Sequence, residues 1–174
     1  MDWIKEALDT GFTYAATLDM NTLQCLQSVR EACAADKCRS YDKNWMCPPA
    51  CGTPEECEAR MRRYGHGILL QTVGELKGSF DARGMIAAME RHKENFDAFA
   101  AKIRAVYPDA LPLGAGGCTV CKKCAYPEPC RFPEKALSSM EAYGLFVAPL
   151  CKENGLQAHY GKDTLTYVAC VLYD

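Results

Sequence analysis

The sequence lacks several features that would assign it to a common class of protein. No apolar run approaches the roughly 20 residues that a membrane-spanning helix needs. The first residues, MDWIKEALDTGF, have neither the basic nor the apolar segment of a secretory signal. With 20 basic and 22 acidic residues, the net charge is −2, so there is no basic excess of the kind that marks nucleic-acid or membrane-surface binding. These absences predict a soluble, cytoplasmic protein that binds neither nucleic acid nor a membrane.

Motifs for nucleotide binding and hydrolysis are also missing. The chain contains no phosphate-binding loop, no strand-linked G-x-G-x-x-G and no nucleophile elbow. The GAGG segment at 114–117 is too short and too close to cysteines to count as a dinucleotide loop. Histidine, the most common general base, occurs only three times. The sequence therefore gives no catalytic residue.

Cysteine, in contrast, is abundant, with 12 in 174 residues. Because the chain is long, lacks an export signal and bunches its thiols, metal binding is a better interpretation than disulfides. Cys25, Cys151 and Cys170 lie outside the bunches, and we expect them to be small core residues. The first bunch contains Cys33, Cys38, Cys47, Cys51 and Cys57, and the second contains Cys118, Cys121, Cys124 and Cys130.

The second bunch has the spacing of an iron–sulfur loop. Cys118-x2-Cys121-x2-Cys124 resembles the C-x2-C-x2-C of bacterial ferredoxins, which supplies three ligands of a [4Fe–4S] cluster. Structural zinc instead prefers two separated pairs of ligands, so zinc is the lesser alternative. The fourth thiol, Cys130, follows after five residues rather than three. It could therefore bind its own cluster or cross to another.

The first bunch matches no simple zinc or ferredoxin spacing. Five thiols in 25 residues, around the proline-stiffened WMCPPACG, nevertheless predict a second cluster. A cubane needs four ligands, for which we select Cys33, Cys38, Cys47 and Cys51, and rank Cys57 fifth because it falls on a predicted helix. Trp45 is expected to shield the site.

Hydrophobic periodicity predicts an α+β or α/β chain, in which one small sheet has flanking helices and two cysteine-rich loops, the second ferredoxin-like. With 49% apolar residues, the chain can form a core, and its length suits a single domain, 1–174. The cysteine-rich loop spans 33–57 and the cluster loop spans 117–133. The predicted helices cover 19–33, 53–64, 81–107 and 134–143; residues 67–73 form a strand, 144–151 a strand or helix, and the C-terminal residues a β-hairpin.

Five phrases taken together resemble one family: CRSYDKNWMCPPACGT, ILLQTVGELKGSFD, CTVCKKCAYPEPCRFPE, SSMEAYGL and YGKDTLTY. From about residue 20 to the end, the chain resembles the bacterial and archaeal family of predicted metal-binding proteins called domain of unknown function 2284. The resemblance implies a soluble protein that holds iron–sulfur or another metal through the matching positions. It implies no particular activity.

Three functions are compatible with these patterns. The first is an iron–sulfur carrier that transfers one electron to a partner enzyme, with a basic patch for docking: Lys122, Lys123, Arg131 and Lys135. The second is a cluster-based enzyme or activating factor with an open iron site, where polar side chains could meet a substrate: Glu141, Tyr143, His159 and Tyr160. The third is a zinc-binding structural protein. We expect a redox carrier or accessory protein rather than a stand-alone enzyme.

Overall fold

The computed structural model describes all 174 residues. The helices are α1 (Trp3–Thr10), α2 (Gln27–Ala34), α3 (Pro54–Met61), α4 (Ala82–Val106) and α5 (Val147–Glu153). The strands are β1 (Tyr14–Thr17), β2 (His66–Glu75), β3 (Leu111–Leu113) and β4 (Thr164–Tyr173). Two 3₁₀ turns cover Met20–Thr22 and Glu141–Tyr143. None of the helices is both long and apolar enough to cross a membrane.

The four strands form one antiparallel sheet in the order β1-β2-β4-β3. The two long strands, β2 and β4, pair along their whole length, from His66 opposite Tyr173 to Glu75 opposite Thr164. Because every pairing is antiparallel and the helices lie outside the sheet, the fold class is α+β.

The sheet separates two hydrophobic cores, since successive side chains of a strand point to opposite faces. On one face, Ile68 and Leu70 pack with α1 and α4 in a core that includes Phe99. On the other face, Leu69 and Cys170 pack with Cys57 of α3 and with connecting segments that include Cys51, Met140 and Tyr143. Cys51 and Cys57 of the first bunch therefore lie on the face of the sheet opposite to the long helix.

Two helices follow their local signals closely. In α3, Thr53 accepts from the Glu56 backbone N–H and the Glu56 side chain accepts from the Thr53 N–H, which together form a capping box. In α4, Asp81 caps the first turn, and His92, Phe96, Phe99 and Ile103 form a buried stripe, whereas Met89 and Val106 are half exposed. The predicted helix at 81–107 and the predicted strand at 67–73 are both confirmed.

The predicted helix at 19–33 is only partly correct, because regular α-helix begins at Gln27. Residues Leu23 and Leu26 are extended. The Cys25 N–H binds the Glu58 carboxylate at 2.7 Å, and the Leu26 N–H binds the Gly144 carbonyl at 2.9 Å. These tertiary hydrogen bonds replace those of a continuous helix.

Two further predictions are wrong. Residues 134–143 form no α-helix, because Gly114 exchanges backbone hydrogen bonds with Ser138 and Met140 at 2.9 and 3.0 Å. The C-terminus is not a hairpin: β4 is a single strand whose partners are β2 and β3, far away in sequence. The apolar 144–151 segment, left open between strand and helix, leads into α5.

Candidate metal centres

The four thiols of the second bunch line one cavity. Residues 114–140, between β3 and the second 3₁₀ turn, contain no helix or strand, and Cys118, Cys121, Cys124 and Cys130 lie around a common space. Each of these cysteines is half-buried. Trp45 and Met46 of the first loop line the same cavity. The structure therefore places Cys130, whose spacing left its site open, around the same space as Cys118, Cys121 and Cys124.

Side-chain hydrogen bonds fasten the two cysteine loops to each other. The Trp45 Nε1–H donates to the carbonyl oxygen of Glu128, and the Tyr126 hydroxyl donates to the Asp42 carboxylate, both at 2.7 Å. The rings of Trp45 and Tyr126 also pack edge to face, with centroids 5.0 Å apart. The two hydrogen bonds join residues that are 83 and 84 positions apart in the sequence. They therefore hold the two cysteine loops next to each other.

Cys47 lies where the two bunches meet. Its side chain is only 8% exposed, and a Cβ atom added at Gly117 would lie 3.6 Å from its sulfur. Burial, followed by the influence of four nearby thiols, raises the pKa of Cys47 to about 11. These thiols are Cys38, Cys33, Cys118 and Cys124. So many thiols can be deprotonated together only beside a cation, and a bound metal supplies that charge.

Cys33 and Cys38 form the outer part of the first bunch. Cys33 lies in the last turn of α2, and its thiol approaches the Glu141 carbonyl oxygen at 3.8 Å. Burial, and then the neighbouring Cys38, raise the pKa of Cys33. Cys38 itself is exposed, so solvent reaches the first bunch from this side.

Cys51 and Cys57 form a pair on the core side of the same bunch. The Cys51 N–H donates to the Cys47 carbonyl at 3.0 Å, while Cys57, on α3, is completely buried. A hydrogen bond from the Cys51 thiol, together with the charge of Arg30, lowers the pKa of Cys57 to about 6 despite burial. The same hydrogen bond and burial raise the pKa of Cys51.

Arg30 brings a buried positive charge to this pair. Its guanidinium donates to the Cys57 sulfur at 3.3 Å, to the Ala142 carbonyl at 2.9 Å and to the Gly52 carbonyl at 2.7 Å. It is 7% exposed and takes part in no salt bridge. Because a buried charge without a counter-charge is strongly unfavourable, this environment favours thiolate at the adjacent sulfurs.

The donor set fits an iron–sulfur cluster in its chemistry. All 12 cysteines are free thiols, and thiolate is the ligand that iron–sulfur clusters and zinc share. No three His, Cys, Asp or Glu side chains surround a common point closely enough to hold a single ion. Thiolates that bind four different irons lie farther apart than thiolates that share one ion, so this spacing does not conflict with a cluster.

A family model describing a predicted metal-binding protein, domain of unknown function 2284, matches residues 16–173. The chain belongs to this family. The match spans both cysteine bunches and all four strands apart from the first two residues of β1. No curated protein and no solved structure matches the chain. Membership in the domain of unknown function 2284 family supports metal binding by this chain.

The remaining cysteines have no contact with the cavity. Cys151 and Cys170 are fully buried in the core on the cysteine side of the sheet, as expected. Cys151 accepts a hydrogen bond from Gln71 Nε2 at 3.3 Å. Cys25 is half-buried against Gly144, where a Cβ atom would lie 2.5 Å from its sulfur.

The polar side chains considered for an open-site enzyme do not converge. Tyr143 is buried and accepts from Arg60 at 2.9 Å, and Tyr160 donates to Gln71 at 2.6 Å. His159 and Glu141 are exposed. Sequence reasoning missed Arg30, because its burial depends on contacts with Gly52 and Ala142 that are distant in sequence.

Proposed function

We propose that this protein holds two [4Fe–4S] clusters and passes single electrons to a partner protein. The observation that carries the proposal is the cavity lined by all four thiols of the C-x2-C-x2-C-x5-C segment. One cluster would be held by Cys118, Cys121, Cys124 and Cys130, and the other by Cys33, Cys38, Cys47 and Cys51. When bound, such clusters supply one-electron redox chemistry.

The residues around the thiols of the second loop support this role. Trp45, Met46, Val120 and Phe132 line the cavity together with the four cysteines. Their apolar surface limits water near the sulfurs, and the exclusion of solvent is one of the factors by which a protein tunes cluster potential. Cys130 lines this cavity together with the other three cysteines of its loop. This position favours Cys130 as a ligand of the second-loop cluster over a ligand of the first-bunch cluster.

A basic surface beside this cavity supports docking of an acidic redox partner. Arg131 donates to the Lys123 carbonyl at 3.2 Å, and the Lys135 ammonium lies 5.9 Å from the centre of the Phe132 ring. None of the basic residues here is in a salt bridge, so their charge remains available to steer a partner. The residues of this surface, all exposed, are Lys122, Lys123, Arg131 and Lys135.

A cysteine substitution in anaerobically purified protein tests the proposed cluster. We expect Cys124→Ser to lose about four of about eight irons per chain. Cys151→Ser, a change of the same chemistry in the core, should keep the full iron content. Full iron in Cys124→Ser would refute the assignment, and zinc in place of iron in the wild type would favour a structural metal.

A further inference from the structure

Arg30 has no carboxylate partner, which is unusual for a buried guanidinium. Two of its three acceptors are the neutral carbonyls of Ala142 and Gly52, and only the sulfur of Cys57 can carry a negative charge. Glu58, on α3, forms its salt bridge with Arg62 at 3.0 Å and not with Arg30. The protein therefore buries a cation at the core side of the first cysteine bunch without a permanent counter-ion.

The contacts of Arg30 lead directly to a proposed metal ligand. The Ala142 carbonyl oxygen accepts from Arg30 Nη1 at 2.9 Å and from the Cys51 thiol at 3.7 Å. The Cys57 sulfur accepts from the guanidinium at 3.3 Å and approaches the Cys51 carbonyl oxygen at 3.9 Å, so Cys57 connects Arg30 to the Cys51 residue. A charge placed behind a ligating sulfur in this way acts as an outer-shell group, which orients the ligand and changes the electronic properties of the metal.

We propose that Arg30 is the counter-charge of the anionic metal–thiolate centre formed by the first bunch, and that it raises the reduction potential of that centre. This inference rests on the proposed function. A thiolate-ligated cluster becomes more negative when it gains an electron, so a buried cation stabilises the reduced form more than the oxidised form. Arg30 touches no ligand directly and acts through Cys57, which makes it a positioning residue.

The thiol of Cys57 has a defined part in this arrangement. When Cys51 binds metal it loses its proton, and it can then only accept hydrogen bonds. Cys57 is in position to supply one, with the Arg30 guanidinium 3.3 Å behind it. Cys57 is therefore assigned as the link between Arg30 and the centre, and it is not a fifth ligand.

Redox titration of the iron-loaded protein, followed by EPR, tests the inference. In Arg30→Met we expect one of two couples to shift to lower potential. The ratio of reduced to oxidised cluster at a fixed potential should fall at least tenfold, which is about 59 mV for a one-electron couple. The other couple should not change. Arg62→Met, at the residue that follows α3 and with half of its side chain exposed, should leave both couples unchanged.

Two further variants keep the inference testable if Arg30→Met does not fold. Arg30→Lys keeps the charge and should shift the same couple by less. Cys57→Ser keeps a donor and should retain all of the iron. Unchanged potentials in the Arg30 variants with iron retained, or iron loss in Cys57→Ser, would overturn the inference. Failure of the proposed function would give a different result, because the wild type itself would then contain no iron–sulfur cluster.

Discussion

The sulfur of Cys47 faces the open side of Gly117, which brings the two cysteine loops close together across 70 residues of sequence. A Cβ atom at Gly117 would lie 3.6 Å from the Cys47 sulfur. That is ordinary van der Waals contact, and the Gly117 backbone is not in the left-handed region. One methyl group therefore fits, whereas a larger side chain has the Cys47 sulfur directly beyond its Cβ.

This contact predicts a difference between two substitutions at one position. Gly117→Ala should keep the full iron content and stay within about 0.5 kcal/mol of the wild type in free energy of unfolding. Gly117→Leu should push Cys47 away from the second loop and lower the iron content. Iron analysis after anaerobic gel filtration measures both. Equal iron in the two variants would mean that close approach of Cys47 to the second loop is not needed.

Trp45 should protect the cluster of the second loop from solvent and oxygen. Trp45→Leu removes the hydrogen bond to Glu128 and the ring that packs against Tyr126. We expect the visible absorption of this variant to bleach several-fold faster in air, with the same initial iron content. Tyr126→Phe is the matched control, since it loses only the exposed hydrogen bond to Asp42. If both variants bleach at the wild-type rate, Trp45 is not a shield.

Gly74 of β2 should not tolerate a side chain. A Cβ atom there would lie 2.5 Å from the Cβ of Ala88 on α4, so Gly74→Ala forces the helix away from the sheet. Overpacking of this kind costs about 1–3 kcal/mol, measurable by urea unfolding. The double variant Gly74→Ala/Ala88→Gly removes the clash and should recover part of the loss, although glycine within a helix costs about 1 kcal/mol. No recovery would contradict the packing explanation.

His92 should make the fold sensitive to mild acid. It is 3% exposed and its Nδ1 binds the Thr72 hydroxyl at 2.9 Å, while Nε2 has no partner. Burial lowers the pKa of His92 from 6.5 to about 4. Between these values the unfolded chain binds a proton that the folded chain excludes. The stabilisation is complete above pH 6.5 and is lost as the pH falls towards 4, by up to about 3 kcal/mol.

Urea unfolding of His92→Gln between pH 7 and pH 4.5 measures this effect. We expect the variant to lose less stability than the wild type over that range. His159→Gln, at an exposed position, should follow the wild type. Parallel pH profiles for wild type and His92→Gln would contradict a buried neutral histidine.

The sequence predicted correctly those elements whose hydrogen bonds are local. Its predictions were wrong where hydrogen bonds to a distant segment determine the backbone conformation. The capping box at Thr53 and Glu56 places α3 correctly because all of its hydrogen bonds are made within four residues. The segment 134–143 has a helical pattern, but Gly114 competes for its backbone groups. Likewise, Thr164–Tyr173 alternates like a strand, and nothing local shows that its partner is β2 rather than a hairpin neighbour.

The same distinction holds for the candidate site. Cysteine spacing is a local property, and it indicated which four thiols would line the cavity at 118–130. The burial of Arg30 depends on three separate segments, α2, Gly52 and Ala142, which meet only in the fold. A single arginine on an amphipathic helix gives no hint of this. The assignment of Cys33, Cys38, Cys47 and Cys51 as ligands stays a prediction.

The most direct test of the account is the metal content of the wild-type protein purified without oxygen. Iron, acid-labile sulfide and zinc are quantified per chain, and visible and EPR spectra are recorded before and after dithionite. The account predicts about eight irons and about eight sulfides, visible absorption that dithionite bleaches, and an EPR signal that appears on reduction. Stoichiometric zinc with no visible absorption and no EPR change would contradict it.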